Sequence, residues 1–298
     1  VKWFFAMTQA MLERDEALAD SQKIGFAECA RAAVCSAKEN TSLQPHLIFD
    51  GEECAFTREM AAAGVKVLLH RLSFYDRLAQ AQQTHRPEWG DYMRKAAGAF
   101  MKLELPFLET EDQFVLFTDY DVLFRKEPEL RTCRPQVFAA CGQFELHKGI
   151  NTGVMVLNLN RIREDAPSLI DFMCHHFGMI SGYDQELFRV FYYKNGSPLP
   201  PTCNWKPYWG INKTASIVHF YGAKPLLAEK LLKNPSYWEE ETSFDFYRQL
   251  FFRKPEGYAF FIQEWEEYAS RPSLAHEKVK EEPDSDEIQI QAFDAARQ

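Results

Sequence analysis

Seven short runs rich in Phe, Val, Ile and Leu, each bounded by turn residues, alternate along this chain with longer stretches of helical periodicity. Strands that alternate with helices build a sheet whose faces the helices cover, so the pattern predicts an α/β fold. The runs predict strands over 2–7, 47–49, 65–69, 114–118, 137–140, 154–159 and 217–220. Between the first two, Ile24, Ala27, Ala30, Val34 and Ala37 fall three or four residues apart. That spacing places one apolar stripe along a helix over 21–39, the first crossover. Further helices are predicted over 57–63, 92–105, 168–177 and 183–193, and Pro198, Pro200 and Pro201 impose an irregular stretch before Asn204.

With 298 residues, 46% hydrophobic and 14% aromatic, the chain can bury one large domain, or one domain with an appendage, and disorder throughout is excluded. Its longest apolar stretches run four to seven residues, against the roughly 20 a bilayer span needs, so no transmembrane segment is expected. Thirty-four basic against 43 acidic residues give a formal charge of −9, which opposes binding to a polyphosphate backbone and argues against nucleic acid as a partner. Cys29, Cys35, Cys54, Cys133, Cys141, Cys174 and Cys203 are scattered, with no two-residue pair spacing. They read as reduced, mostly buried thiols, which points to a cytoplasmic setting. The chain opens Val-Lys-Trp-Phe-Phe-Ala-Met, without an initiating Met or a secretory layout. An excised domain is expected from that opening, and for such a domain a Golgi lumen is the alternative setting.

Composition shifts along the last third. Residues 226–270 are aromatic, acidic and helix-prone (Tyr237, Trp238, Phe244, Phe246, Tyr247, Phe251, Phe252, Phe260, Phe261, Trp265), and the aromatic rings are expected to pack. Residues 277–287 hold six acids and a proline, the composition of a solvated tail or a linker to further domains. The expected organisation is a catalytic domain over 1–225, a helical extension packed on it over 226–270, and an acidic tail over 271–298.

The segment Phe114-Val-Leu-Phe-Thr-Asp119-Tyr120-Asp121 is an apolar strand ending in two carboxylates one residue apart. Ligands of open α/β sheets collect outside such strand ends, and a paired carboxylate there suits a hard divalent cation bridging to a diphosphate. Taken alone, Asp-X-Asp equally describes an acidic turn closing a strand. Other segments follow in order: Gly149-Ile-Asn151-Thr152-Gly153, Gly182-Tyr-Asp184-Gln185-Glu186, Leu199-Pro-Pro-Thr-Cys-Asn204 and Val218-His219-Phe-Tyr-Gly222-Ala-Lys224-Pro. Phe100-Met-Lys102-Leu-Glu-Leu-Pro lies just upstream of the acidic strand. Together, over roughly residues 1–225, these resemble glycosyltransferase family eight, the glycogenin and galactosyltransferase-like group.

The resemblance implies a GT-A fold, a Rossmann-like mixed sheet flanked by helices. It implies a retaining transferase that moves a hexosyl group, glucose or galactose, from a UDP-sugar to the hydroxyl of a carbohydrate, lipid or protein acceptor. It implies Mn²⁺, with Mg²⁺ the alternative, on Asp119, Asp121 and His219, a donor set whose two oxygens and one imidazole suit that ion. Gly222 would let the backbone approach a phosphate and Lys224 would supply it a charge. Asn151, Thr152 and Gly153 match the segment lining the donor-sugar pocket. Asp184 and Gln185 match the pair beneath the sugar near the anomeric carbon, where a carboxylate can bond a hydroxyl and a carbonyl can stabilise developing positive charge. Thr8 and Tyr120 fall to the nucleotide side by the same kinship. The sequence departs from the family in two places: Lys102 stands where Arg is common, and the first strand's end, Phe5-Ala-Met-Thr8-Gln, lacks the usual acidic neighbour.

Two other readings of the same residues are open. A haloacid-dehalogenase-type phosphohydrolase also uses Asp-X-Asp after an apolar strand, although Val122-Leu-Phe does not suit its motif. A glycosyltransferase-like domain kept for carbohydrate binding or scaffolding is the non-catalytic alternative. Adjacent His175 and His176 point about 100° apart on a helix and read as structural.

Overall fold

The computed structural model describes residues 1–19, 22–90, 92–145, 149–180, 183–238 and 244–271. Ser21, Gly182 and the acidic run 277–287, on which expectations were placed, lie outside the described residues. The described strands are β1 (Lys2–Thr8), β2 (Gln44–Asp50), β3 (Lys66–Leu69), β4 (Phe114–Thr118), β5 (Val122–Phe124), β6 (Phe138–Cys141), β7 (Asn151–Asn158), β8 (Gly196–Pro198) and β9 (Ile217–His219). Seven make one mixed sheet in the order β3-β2-β1-β4-β7-β6-β8, and β5 pairs with β9 in a separate ribbon. Within the large sheet only β7 runs against its neighbours, antiparallel to β4 and to β6.

The helices are α1 (Gln9–Ala17), α2 (Phe26–Asn40), α3 (Ala55–Ala62), α4 (Tyr75–His85), α5 (Tyr92–Phe100), α6 (Leu105–Leu108), α7 (Leu159–His175), α8 (Tyr183–Phe191), α9 (Pro225–Lys233), α10 (Phe244–Phe251) and α11 (Pro255–Ala269). They cover both faces of the sheet, which is why its strands are apolar on successive residues rather than alternate ones. Phe4, Val115, Phe117, Met155 and Leu157 face a core closed by α4, α5, α7 and α8. Trp3, Phe5, Met7, Leu116, Val154 and Val156 face the opposite way, toward α2 and α3. A third core lies behind the ribbon, where Leu123, Val218 and Phe220 meet Cys29 and Ala32 of α2 and Phe244, Phe251, Tyr258, Phe261 and Trp265 of the last two helices.

The expected α/β architecture is present, with corrections to its parts. The helix expected over 92–105 stops at Phe100, passes through a 3-10 turn at Met101–Leu103 and restarts as α6. Pro106 explains the break, since its ring cannot sit in a continuous helix and is accommodated in the first turn of a new one. Helix α7 opens well before the expected start at 168, because the Asn158 side chain caps it by accepting from Arg161 N, and the helix carries Pro167 inside it. Helices α1 and α4 and strands β5 and β8 were not anticipated. His175 and His176 are structural as expected: His175 Nδ1 meets Asp171 O at 2.7 Å and His176 packs on Phe172 at 4.4 Å between ring centroids. Among the described residues no helix is long and apolar enough to cross a membrane.

Candidate active site

The chain leaves β1 for β2 and β3 on one side, then returns to β4 on the other. Strand order therefore reverses between β1 and β4, and a crevice opens beyond their carboxyl ends. Asp119 and Asp121 follow β4 directly. Because β7 is reversed, its opening residues Asn151, Thr152 and Gly153 rise at the same rim, with Asp119 N donating to Gly153 O at 2.8 Å. The ribbon supplies the remaining side chain, since Val122 of β5 pairs with His219 of β9.

Asp119, Asp121 and His219 converge, each offering a ligand atom within 4.8 Å of the others. His219 Nε2 lies 3.5 Å from Asp119 Oδ2 and 3.4 Å from Asp121 Oδ1. Its other nitrogen, Nδ1, faces two amide oxygens at 3.2 Å, Asn151 Oδ1 and Asn204 Oδ1. The amide orientations are mutually consistent, because Asn204 Nδ2 donates to Asn151 Oδ1 at 3.0 Å and Asn151 Nδ2 donates to Gln185 Oε1 at 3.2 Å. Nδ1 thus carries a proton, which leaves Nε2, set between the carboxylates, as the nitrogen that could ligate a metal. Nε2 is fully buried and makes no hydrogen bond.

The pocket is electronegative and tightly closed around the imidazole. Burial opposes charge on His219, yet Asp121 and Asp119 hold its pKa above the usual range. Burial would likewise raise the Asp121 carboxyl, but Lys224 and His219 hold it well below the ordinary carboxylate range. A Cβ added to Gly153 would stand 2.0 Å from His219 Cε1 and 2.8 Å from Asp119 Oδ2, so only glycine leaves room for the ring.

The structure brings most of the sequence-selected residues to this rim. Lys224, the residue before α9, donates its Nζ to Asp121 Oδ2 and lies 5.6 Å over the Tyr120 ring. Tyr120 in turn packs edge-on against Phe26 of α2 at 5.5 Å. Gly222 makes the turn out of β9 at φ +93°, a conformation that strains other residues. Asp184 and Gln185 open α8; Gln185 Oε1 also faces Thr152 N at 3.4 Å. Lys102 is almost fully buried beneath them, its Nζ bonding Asp184 Oδ2 at 2.5 Å and Thr152 O at 3.1 Å. A single ammonium thereby ties the helix bearing Asp184 to the strand bearing Asn151. Thr8 stands apart from this network: it ends β1 and its hydroxyl caps α1 by accepting from Met11 N at 3.2 Å.

Two residues of this region carried no role in the sequence reading. Asn204 faces the His219 ring nitrogen; the motif Leu199-Pro-Pro-Thr-Cys-Asn204 marks its position in the sequence but assigns it no task. Lys206 is buried with Nζ on Gly142 O at 2.8 Å and 4.4 Å from the Trp209 ring. Burial pushes its pKa down to about 7. A depressed lysine pKa means that, between about 7 and 10.5, the unfolded chain binds the extra proton, so stability grows as pH rises through that window. We expect the stability of wild type relative to Lys206→Met to increase between pH 7 and pH 9 by at most about 1.4 kcal/mol per pH unit. Urea melts across that range test it, and a gap that does not change with pH would sink the assignment.

No family model matches the chain, and no curated protein matches its sequence. Solved structures do match its fold. A complex of the galactosyltransferase LgtC with donor and acceptor sugar analogues superposes with a TM-score of 0.59 at 15% identity, covering 91% of this chain and 95% of that one. An active-site variant of LgtC, in which a glutamine is replaced by glutamate, gives 0.55 at 16% identity over 84% and 95%. The apo form of mouse xyloside xylosyltransferase 1 gives 0.53 at 16% identity over 74% and 98%. The chain has the GT-A glycosyltransferase fold, the architecture its sequence resemblance implied.

Proposed function

We propose that this chain is a metal-dependent glycosyltransferase that moves a hexosyl group, glucose or galactose, from a UDP-sugar to an acceptor hydroxyl with retention at the anomeric carbon. The observation that carries the reading is the buried, unpartnered His219 Nε2 aimed between Asp119 and Asp121, its tautomer fixed from behind by Asn151 and Asn204. A buried polar atom without a partner is costly, and two carboxylates with an imidazole fit Mn²⁺, or Mg²⁺ less closely. Asp119, Asp121 and His219 would hold the ion. When bound, it would neutralise charge on the departing diphosphate.

The remaining roles fall to this chain's own side chains. Lys224 adds a second positive charge beside the diphosphate, and the Gly222 turn lets the backbone approach a phosphate oxygen. Asn151, Thr152 and Gly153 line the sugar pocket. Asp184, held in place by Lys102, accepts hydrogen bonds from sugar hydroxyls, and the Gln185 carbonyl faces the anomeric carbon as positive charge develops there. LgtC likewise has a glutamine among its active-site residues, which supports this role for Gln185. The assignment of Thr8 and Tyr120 to the nucleotide side, of uridine as the base and of retention as the outcome is carried by the sequence resemblance. A phosphohydrolase of haloacid-dehalogenase type is disfavoured by the GT-A fold. A purely binding role is disfavoured by the intact set of ligating and positioning groups.

The test is release of UDP from a panel of UDP-sugars, with EDTA or with added Mn²⁺ or Mg²⁺. We expect hydrolysis of UDP-glucose or UDP-galactose only when the divalent ion is present, and transfer products that keep the donor's anomeric configuration by NMR. Release of phosphate from simple monoesters without any sugar donor would instead establish the hydrolase.

A further inference from the structure

Three consecutive carbonyls beyond β6 are each held by a side chain from one short turn. Lys206 Nζ donates to Gly142 O at 2.8 Å, the Tyr208 hydroxyl donates to Gln143 O, and Trp209 Nε1 donates to Phe144 O at 3.1 Å. The Gln143 amide in turn donates to the Tyr221 hydroxyl at 2.7 Å. Connecting segments ordinarily leave such carbonyls to water and are mobile. Here the segment is fixed, and what it fixes is an outward aromatic ring.

Phe144 remains 38% exposed and Phe246 of α10 37% exposed, their centroids 6.0 Å apart and edge-to-face. Phe246 lies 6.4 Å from Tyr221, and Tyr221 lies 5.8 Å from His219. A row of rings therefore leads from the candidate metal ligand to the surface. Alongside its outer end, Asp245, Arg248, Gln249, Phe252 and Arg253 line an open depression of about 410 Å³. The Arg253 guanidinium lies 5.7 Å over the Phe144 ring. Rigid ring faces interleaved with amide, carboxylate and guanidinium groups match one ligand chemistry well: a pyranose, whose C–H face stacks on aromatics while its hydroxyls seek donors and acceptors.

We propose that Phe144 and Phe246, set nearly at right angles, form two walls of an acceptor subsite, in which the pyranosyl ring of a carbohydrate acceptor stacks on one ring face and abuts the other, with hydroxyls toward Gln143, Asp245 and Arg253. The proposal rests on the glycosyl-transfer reading above and adds to it the acceptor's chemical class and its place. Lys206, Tyr208 and Trp209 are positioning residues, since they act through the Gly142–Phe144 backbone.

The test uses methyl glucosides, methyl galactosides, maltose and lactose as acceptors, with UDP-glucose and UDP-galactose as donors. In Phe144→Ala and Phe246→Ala we expect the apparent KM for the best acceptor to rise about tenfold, with the KM for the donor within about twofold of wild type. Trp209→Phe, which loses the donor to Phe144 O and part of the ring packed on Trp205 and Tyr208 but leaves Phe144 in place, should raise the acceptor KM less, by about threefold. Thermal melts confirm that each variant is folded. Unchanged acceptor KM in both alanine variants overturns the subsite, and so does an equal rise in the donor KM. Saturation-transfer NMR with the same glycosides needs no turnover. Saturation of ring C–H protons in wild type, lost in Phe144→Ala, supports the subsite even where no UDP is released, an outcome that would overturn transfer alone. No saturation in wild type, with donor hydrolysis intact, overturns the subsite and leaves the transferase reading standing.

Discussion

Asp121→Asn is expected to lower ion-dependent UDP-sugar turnover by more than about a hundredfold, the upper end of what loss of a metal's outer-shell partner costs. Asp121 serves two groups at once, with Oδ1 toward His219 Nε2 and Oδ2 on Lys224. The amide keeps the shape and one acceptor oxygen but removes the negative charge that a divalent ion and an ammonium both need. The fold should survive. Breaking a fully buried ion pair costs roughly 3–5 kcal/mol, and Lys224, still 19% exposed, can turn partly to water and lose less. Mn²⁺ titration by calorimetry in the presence of UDP, alongside circular dichroism, separates ligand loss from unfolding. Undiminished turnover would remove this carboxylate from the metal's ligands.

The second large effect is expected from the smallest change. In Gly153→Ala the new methyl carbon would overlap the His219 ring, at 2.0 Å from Cε1 and 2.7 Å from Nδ1. The ring cannot swing aside cheaply, because Asn151 and Asn204 hold its Nδ1 and the site around it is buried. The backbone is also tied, because Gly153 O accepts from Asp119 N at 2.8 Å and β7 pairs with β4 from Val154 onward. Overpacking of this kind costs typically about 1–3 kcal/mol, and displacement of a ligand should reduce turnover more than about a hundredfold, as for Asp121. Thermal melts and UDP-release assays check both parts. A fully active Gly153→Ala would place His219 somewhere other than against this glycine.

The acidic pair was legible because β4 is a continuous apolar run, and such a run can end only at a sheet edge. Its partner was not legible from the residues alone. His219 comes about a hundred residues later and on a separate ribbon, so only the ordered motifs of a known family linked it to Asp119 and Asp121. The task of Asn204, though the residue ends one of the ordered motifs, was not legible because a proline-rich segment has no periodicity from which a side chain's direction can be read. Strand β8 holds Gly196 and Pro198, both poor strand formers, and it pairs at the edge of the sheet beside β6. Helix α4 has only Leu78, Ala81 and Gln82 buried among polar neighbours, too thin a stripe to register. The helix predicted from 168 in fact begins at Leu159 and carries Pro167 inside it. Lys102 looked like a weakened arginine; buried on Asp184 and Thr152, a compact ammonium suffices to cross-link two elements.

The ribbon carrying His219 has an underside of its own. Leu123, Val218 and Phe220 press into the same apolar mass as Phe244, Tyr258, Phe261 and Trp265. Cutting the chain near residue 225 would strip those backs bare and let the imidazole drift relative to the aspartates on the main sheet. The terminal helices thus act as a splint for His219, so if that imidazole ligates the ion as proposed, substitutions there, remote from the crevice, should register as changed affinity for the ion.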